Sequence, residues 1–476
     1  MKGTEGGRES RQRSATERHD MNTIGLDLAL MADLERETSE LLSQLIQIDT
    51  TNPPGNETAV AEFMAAWFRR HGLEGEVVGE PADRASFVLR LQGRRAGPSL
   101  LLLAHEDVVP AGAADWQVPP FSGLIKDGYV WGRGALDIKN LVAANAVAVR
   151  RLVEAGAPFD GTLVYACTAD EESCRGGGIR WLLEHRPDLV ACDYVLNEGD
   201  GAFIPCGDRR LFMLQSGEKG AAQFRIVVHG QGGHGSVPLR RENAVLAAAR
   251  VVEALVAHQL PVVVEDCSRD LVEVLVEAPA LRSRLRDPMR ARAALAELAE
   301  RDPQLADTIE PLYGFAFSPT VVQSGSAAVN VFSTSVTLGI DCRTLVGHDE
   351  HEVEAAVRAA LAQIDCPWEL EWINVVPGNS SPYPTPLSEA IRTVLRRHVP
   401  NTELVNTHCA AFTDSRWIRA ACPEVVAYNF DPHVEESRAD VSVRGHNVDE
   451  RILVRDLAFE AFFAEQVALE LLQRPS

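Results

Sequence analysis

The sequence predicts an α/β fold, a doubly wound mixed sheet with a smaller α+β domain inserted into it. Three observations predict it. Apolar runs of strand length alternate with helical stretches through the first half of the chain. After Ser216 the rhythm changes to strands that alternate polar and apolar residues. The 476 residues exceed what one hydrophobic core ordinarily organises, so two domains are expected.

Residues 1–30 begin MKGTEGGRESRQRSATERHD, which lacks the apolar core of an export signal and reads as a disordered tail, with Met21 or Met31 as alternative starts. Residues 32–49 carry Leu34, Leu41, Leu42, Leu45 and Ile46 at helical spacing. A turn at Thr51–Asn56 leads to a second helix from about Glu57 to Arg70, closed by Gly72. SLLLLA (Ser99–Ala104), TLVYACT (Thr162–Thr168) and DYVLN (Asp193–Asn197) are continuous apolar runs and read as buried strands. Residues 141–155 and Ile179–His185 read as the helices between them.

Residues 216–376 form the expected insert. QFRIVVHG and WELEWINV read as strands, NAVLAAARVVEALVAH and HEVEAAVRAALAQ as helices, and Ser333–Arg343 as a half-buried antiparallel strand. Residues 260–319 show no clear period and are expected to be irregular. The turn-rich PGNSSPYPTP (Pro377–Pro386) returns the chain to the first domain, so 31–215 and 377–476 make one unit, ending in the strand VVAYNF and a long amphipathic helix.

Charge and composition exclude some functions. A formal net charge of -22 argues against nucleic acid and against anionic membranes, because both demand a basic face. No apolar run is long enough to span a bilayer. The nine cysteines include no CxxC pair and read as reduced thiols, which places the chain in the cytoplasm.

Chemistry-bearing residues follow each apolar strand. After SLLLLA come His105, Glu106 and Asp107; after TLVYACT come Asp170, Glu171 and Glu172; after DYVLN come Glu198 and Asp200. The segment WGRGALD ends on Asp137. In an open α/β sheet, ligands bind at the carboxyl ends of the strands, so the fold gathers an imidazole and several carboxylates at one edge. Imidazole plus carboxylate suits zinc or a similar divalent ion, and a pair of ions needs a bridging carboxylate with terminal ligands on each side. One more histidine is required from further along the chain, and His433 and His446 compete for the place.

The ordered set of motifs is specific. His105-x-Asp107, GRGALD, DEE, NEG, GGHGSVP (Gly232–Pro238), DCR (Asp341–Arg343), FTDSR (Phe412–Arg416) and RGHNVDE (Arg444–Glu450) together resemble the co-catalytic zinc family. That family contains aminoacylases, carboxypeptidase S, acetylornithine deacetylase and succinyl-diaminopimelate desuccinylase. The resemblance runs from about Leu41 to the C-terminus. It implies that His105 and Glu198 hold one ion, that Glu172 and His446 hold the other, and that Asp137 bridges both. The HNVDER context favours His446 over His433. The resemblance also makes Glu171 the general base and has Asp107 accept a hydrogen bond from the second ring nitrogen of His105. In the insert it makes His234 an oxyanion stabiliser that reaches across a dimer or a closed lid, and Asn330 and Arg343 substrate contacts, with Arg343 pairing with a carboxylate.

The expected cofactor is therefore two divalent ions, zinc first, with cobalt or manganese admissible. The expected reaction is hydrolysis of the amide bond in an N-acyl amino acid or short peptide with a free carboxylate, by metal-activated water. A deacylase dedicated to one biosynthetic metabolite is the alternative, toward which Arg240 and Arg241 would supply an acidic-group contact. A catalytically silent binding relative would lack Glu171 or a ligand, and none is missing. A homodimer through the inserted domain, acting as lid and dimerisation surface, is the expected assembly.

Overall fold

The computed structural model of the chain describes residues 26–112, 115–156, 159–173, 177–237 and 243–473. Most of the expected tail, Pro238 of the GGHGSVP loop, and the Arg240–Arg241 pair lie outside the described residues.

The main sheet is mixed, and its centre is the strand Ser99–His105. This strand runs parallel to Thr162–Thr168 on one side and to Tyr194–Asn197 on the other. Beyond Tyr194–Asn197 the order continues through Val426–Asn429, Arg209–Glu218, Ala202–Cys206 and His433–Ser437. Beyond Thr162–Thr168 come Ser86–Gln92 and Glu76–Val78, both antiparallel. Thr402–Cys409 also pairs with Arg209–Glu218, in parallel.

The apolar run SLLLLA is buried on both faces. Leu100, Leu102 and Ala104 pack with the helices Leu28–Ile46, Lys139–Glu154 and Val454–Leu472. Leu101 and Leu103 pack on the opposite face with Ile179, Leu182 and Ile418. This is why the run does not alternate in polarity. Each such leucine contributes roughly 1.5–3 kcal/mol by burial. Helix Lys139–Glu154 is buried along most of its length, and Lys139 itself donates from Nζ to the carbonyls of Leu45 and Ile48.

The chain leaves the main sheet after Glu218 and pairs with it again at Asn379. Between these points lies a second sheet in the order Phe317–Ser324, Ser335–Thr344, Gly220–His229, Trp368–Val376, all antiparallel. Helices Ala244–Ala257 and Glu350–Ala360 bury Ala247, Val251, Val353 and Val357 against Phe224, Ile226 and Leu338 of this sheet.

The segment expected to be irregular is helical. Asp266–Leu275, Pro279–Leu285, Pro288–Arg301 and Pro303–Ile309 are four short helices. Each of the last three has proline in its first turn, and Asp287 and Asp302 accept hydrogen bonds from the amides of Met289 and Leu305. Proline at the first helical position with aspartate before it starts a helix without needing a long apolar period. These helices pack on the main sheet rather than on the second one, through Leu211, Met213 and Val405. No helix among the described residues is long and apolar enough to cross a membrane.

Candidate metal centre

The switch in winding direction sits at the Ser99–His105 strand, whose neighbours were reached by crossovers in opposite directions. The crevice outside that strand end is where an α/β sheet places ligands. His105 ends the strand, Asp170–Glu172 follow one neighbour, and Glu198 follows the other.

His105 is buried, and its Nδ1 lies 3.0 Å from the backbone carbonyl of Asp107. Donation to that carbonyl fixes the tautomer and turns Nε2 toward the crevice. Nε2 is 3.1 Å from Asp137 Oδ1 and 3.6 Å from Glu198 Oε2. On the other side of Asp137, Oδ2 lies 2.9 Å from His446 Nε2, which is 3.2 Å from Glu172 Oε1. The result is two clusters with one common member, His105–Asp137–Glu198 and Asp137–Glu172–His446, each with ligand atoms within 4.8 Å of one another.

The electrostatics fit a pair of cations. Burial pushes the Glu198 carboxyl up to about 7, with the Asp137 and Glu172 charges adding to it and His105 opposing. Glu198 Oε1 is buried without a hydrogen-bond partner among the described residues. Burial also works against the Asp137 anion, but hydrogen bonds from His105 and His446 outweigh it and hold the carboxyl far below its usual range. Hydrogen bonds to Asp137 and Glu172 push His446 up to about 10. Three carboxylates and two imidazoles thus converge in the two clusters, and among the described residues these groups are balanced by the protons they share. A divalent ion in each cluster would offset the converging carboxylates and would take up the orphaned Glu198 oxygen, so the donor set fits two ions of the zinc class.

Asp107 differs in detail from the sequence expectation. Its carboxylate lies 3.4 Å from His105 Nδ1, farther than its own carbonyl does. Its closer partners are the Asn52 amide at 2.7 Å and the backbone amides of Glu171 and Glu172, each at 3.1 Å. It therefore clamps the DEE turn while facing the imidazole. Burial raises its pKa, and the hydrogen bonds and charge of His105 more than reverse that. Asp170 stands at φ 64 and accepts from Asn52, Arg84 and the amide of Gly177, which fixes the turn from its other end.

The structure separates the two candidate histidines. His433 faces Glu460 at 3.3 Å and Asp456 at 3.8 Å in the buried interior and is in neither cluster with Asp137. His446 is half-exposed, in the left-handed region at φ 56, and points at Asp137 and Glu172.

Sequence reasoning overlooked Glu450. It is fully buried and accepts from the backbone amides of Gly134, Leu136 and Asp137 and from Arg133. One carboxylate thus holds the whole GRGALD loop and sets the position of Asp137. Its signal was present as the last residue of RGHNVDE, four positions after His446. Asn52, in the TNPPGN turn, was overlooked in the same way.

Glu171 lines a cavity of about 540 Å³ beside the two clusters, with Oε2 4.0 Å from His105 Nε2. Phe412, Thr413, His408, Arg438 and Leu312 form other parts of its wall. Burial lowers His408 to about 4. Arg343 lies in an adjoining cavity of about 720 Å³ that shares Asp307, Pro311 and Ala410 with the first. Its guanidinium sits 4.8 Å from the centre of the Phe412 ring, and its Nε donates to Asp341. His234 and Asn330 stand elsewhere. They are exposed, joined through a short ribbon in which the Gly235 amide donates to the Asn330 carbonyl at 2.8 Å, and neither lines the cavity.

Comparison with known proteins gives a consistent picture. The family model described as Peptidase family M20/M25/M40 matches residues 101–470. A succinyl-diaminopimelate desuccinylase of Beijerinckia indica is 31% identical over 229 residues, which is 46% of this chain and 57% of that protein. The chain thus spans little more than half the length of that relative. A succinyl-diaminopimelate desuccinylase of Paracoccus denitrificans is 26% identical over 436 residues, 89% of this chain and 96% of the relative. In fold, an M20 family metallo-carboxypeptidase from Sulfolobus solfataricus superposes with TM-score 0.68 at 14% identity, over 92% of this chain and 99% of the other.

Proposed function

The chain belongs to peptidase family M20/M25/M40, and from that premise we propose that it is a metal-dependent hydrolase cleaving the amide bond of an N-acyl amino acid or short peptide that carries a free carboxylate. The observation that carries the reading is the sharing of Asp137 between two histidine–carboxylate clusters with Glu171 at their edge. His105 and Glu198 would hold one ion, Glu172 and His446 the other, with Asp137 between. Ions bound there supply Lewis acidity and a lowered water pKa.

The protein's own residues do the rest. Glu171 takes a proton from the attacking water and hands it to the leaving amine, so that a neutral amine departs. Asp107 and Glu450 keep the ligand loops in place while charge changes at the site. Arg343 receives the substrate carboxylate from the adjoining cavity, with Phe412 between the two cavities. His234 comes from the lid, formed by residues 216–376, of a second copy of the chain and stabilises the oxyanion. The homodimer through that domain completes the site.

The test is direct. Purified protein is analysed for metal and assayed on a panel of N-acyl amino acids and dipeptides. Two divalent ions per chain and turnover on part of the panel are expected. Glu171→Gln should keep both ions and lose about 10²–10⁴-fold in turnover. Undiminished turnover in that variant removes Glu171 as the base, and a chain that binds no divalent ion removes the reading altogether.

A second reading is supported by the two relatives named as desuccinylases. In it the acyl group is a short dicarboxylate. N-succinyl substrates turned over at least tenfold faster than N-acetyl ones would select it.

A further inference from the structure

Where the helical segment meets the main sheet, three ligand-type atoms converge away from the paired clusters. Glu265 precedes the helix Asp266–Leu275, Cys267 stands in its first turn, and His408 lies near the end of the strand Thr402–Cys409. Cys267 Sγ is 3.7 Å from Glu265 Oε2 and 3.8 Å from His408 Nδ1, and Nδ1 is 3.7 Å from the same Oε2. The triangle is nearly equilateral.

Its size and orientation discriminate between uses. Ligand bonds of 2.0–2.3 Å arranged as a tetrahedron set the donor atoms about 3.3–3.8 Å apart. A nitrogen–oxygen separation of 3.7 Å is too long for a hydrogen bond, so His408 and Glu265 do not satisfy each other. A nucleophilic relay places thiol and carboxylate on opposite nitrogens of the imidazole. Here both address Nδ1, which is the arrangement of ligands around a common centre. Cys267 is 4% exposed, and His408 also lines the 540 Å³ cavity.

We propose that Glu265, Cys267 and His408 bind a third divalent ion, of the zinc class, which fastens the helical segment to the main sheet at the cavity wall. A thiolate selects zinc or cobalt over magnesium and calcium. Binding transfers the thiol proton to solvent and forms the sulfur–metal bond, with no change of oxidation state. Three protein ligands leave a fourth position for water or a ligand group.

Cobalt distinguishes this site from the paired one, whose members contain no sulfur. The full-length chain, stripped of metal by chelation, is titrated with Co²⁺ and followed by absorption. The expected result is three equivalents bound, one of them with a sulfur-to-cobalt charge-transfer band in the near ultraviolet. Cys267→Ser should lose that band and bind two equivalents. Asp137→Ala should keep the band while losing the remaining equivalents. A wild-type chain without the band, or Cys267→Ser with the band intact, overturns the proposal. The wild-type titration decides alone if a variant does not fold, and because nothing in it depends on turnover, the outcome is independent of the proposed hydrolysis.

Discussion

Glu450 shows how a residue that does not line the cavity can set the position of a candidate ligand. Its carboxylate is buried at 0% exposure and faces three backbone amides and Arg133. Burial pushes it up to about 7 in spite of those partners. Glu450→Ala leaves the buried Arg133 without its anion, and loss of one partner of a buried pair costs about 3–5 kcal/mol. Denaturant unfolding should show that loss, and metal titration of the folded fraction should show about 10–100-fold weaker binding as Asp137 loses its support. His433 supplies a second residue-scale prediction, this one in pH. Burial opposes its charge, but Glu460, Asp456 and Asp431 outweigh burial and push it up to about 9, against 6.5 ordinarily. A raised histidine stabilises the fold fully below pH 6.5, and the contribution disappears as pH climbs through 9. Thermal unfolding between pH 6 and 10 should show that decline, and His433→Asn should flatten it while costing up to about 3 kcal/mol at pH 6. Glu450 marks what motif reading leaves out. His105, Asp137, Glu171 and Glu172 stand after strand-length apolar runs or in a glycine-rich loop, where sequence pattern singles them out. Glu450 and Asn52 act through backbone amides distant in the chain, and no local pattern encodes such a partner. The HNVDER context favoured His446 over His433, and the surroundings agree: His433 faces Glu460 and Asp456, while His446 faces Asp137 and Glu172.

At the scale of elements, legibility followed periodicity. The run SLLLLA could be read as a strand because burial on both faces removes any need to alternate. Residues 260–319 could not be read by period, since helices of seven to fourteen residues are interrupted before an apolar stripe accumulates. Their starts were nonetheless written in the sequence as Asp287-Pro288 and Asp302-Pro303. The position of these helices has a consequence for the site. They bury Leu271, Leu285 and Leu298 together with Met213 and Val405 of the main sheet, and Leu312 and Met213 also line the cavity. Leu271→Ala removes a fully buried side chain from this interface and should destabilise by about 2–5 kcal/mol. If the helices form a working wall of the cavity, the same variant should raise KM more than it lowers kcat, because the ligand loops lie on other elements. Equilibrium unfolding and steady-state kinetics on one preparation check both outcomes.

On the scale of the whole molecule, the proposed site is divided between surfaces that do not meet among the described residues of one chain. The strand pattern was enough to expect His105, Glu172 and Glu198 at one sheet edge, because a doubly wound sheet brings the ends of its central strands together, while Asp137 and His446 were expected there from the family resemblance. What covers that edge could not be read, since under the proposed function it would come from a second copy of the chain. His234 and Asn330 are exposed on their ribbon, away from the cavity wall. Near them the second sheet ends in the strand Phe317–Ser324, which carries exposed Val321 and Val322, while Val329 and Val331 are exposed in the segment that follows. An edge strand that is paired on one side only and carries exposed apolar side chains is a place for another strand to add. Pairing of this edge with its copy would join two insert domains and would let each His234 serve the other chain's proposed metal centre. Sedimentation should then show a dimer that Val322→Lys weakens. Mixing makes the sharper test. Glu171→Gln and His234→Ala would each be inactive as homodimers. After the two are mixed and allowed to exchange, half the dimers contain one of each, and in those dimers one site combines an intact Glu171 with an intact His234. Activity should recover to about a quarter of wild type. If His234 instead serves the site of its own chain, every site in the mixture retains one lesion, and mixing restores nothing.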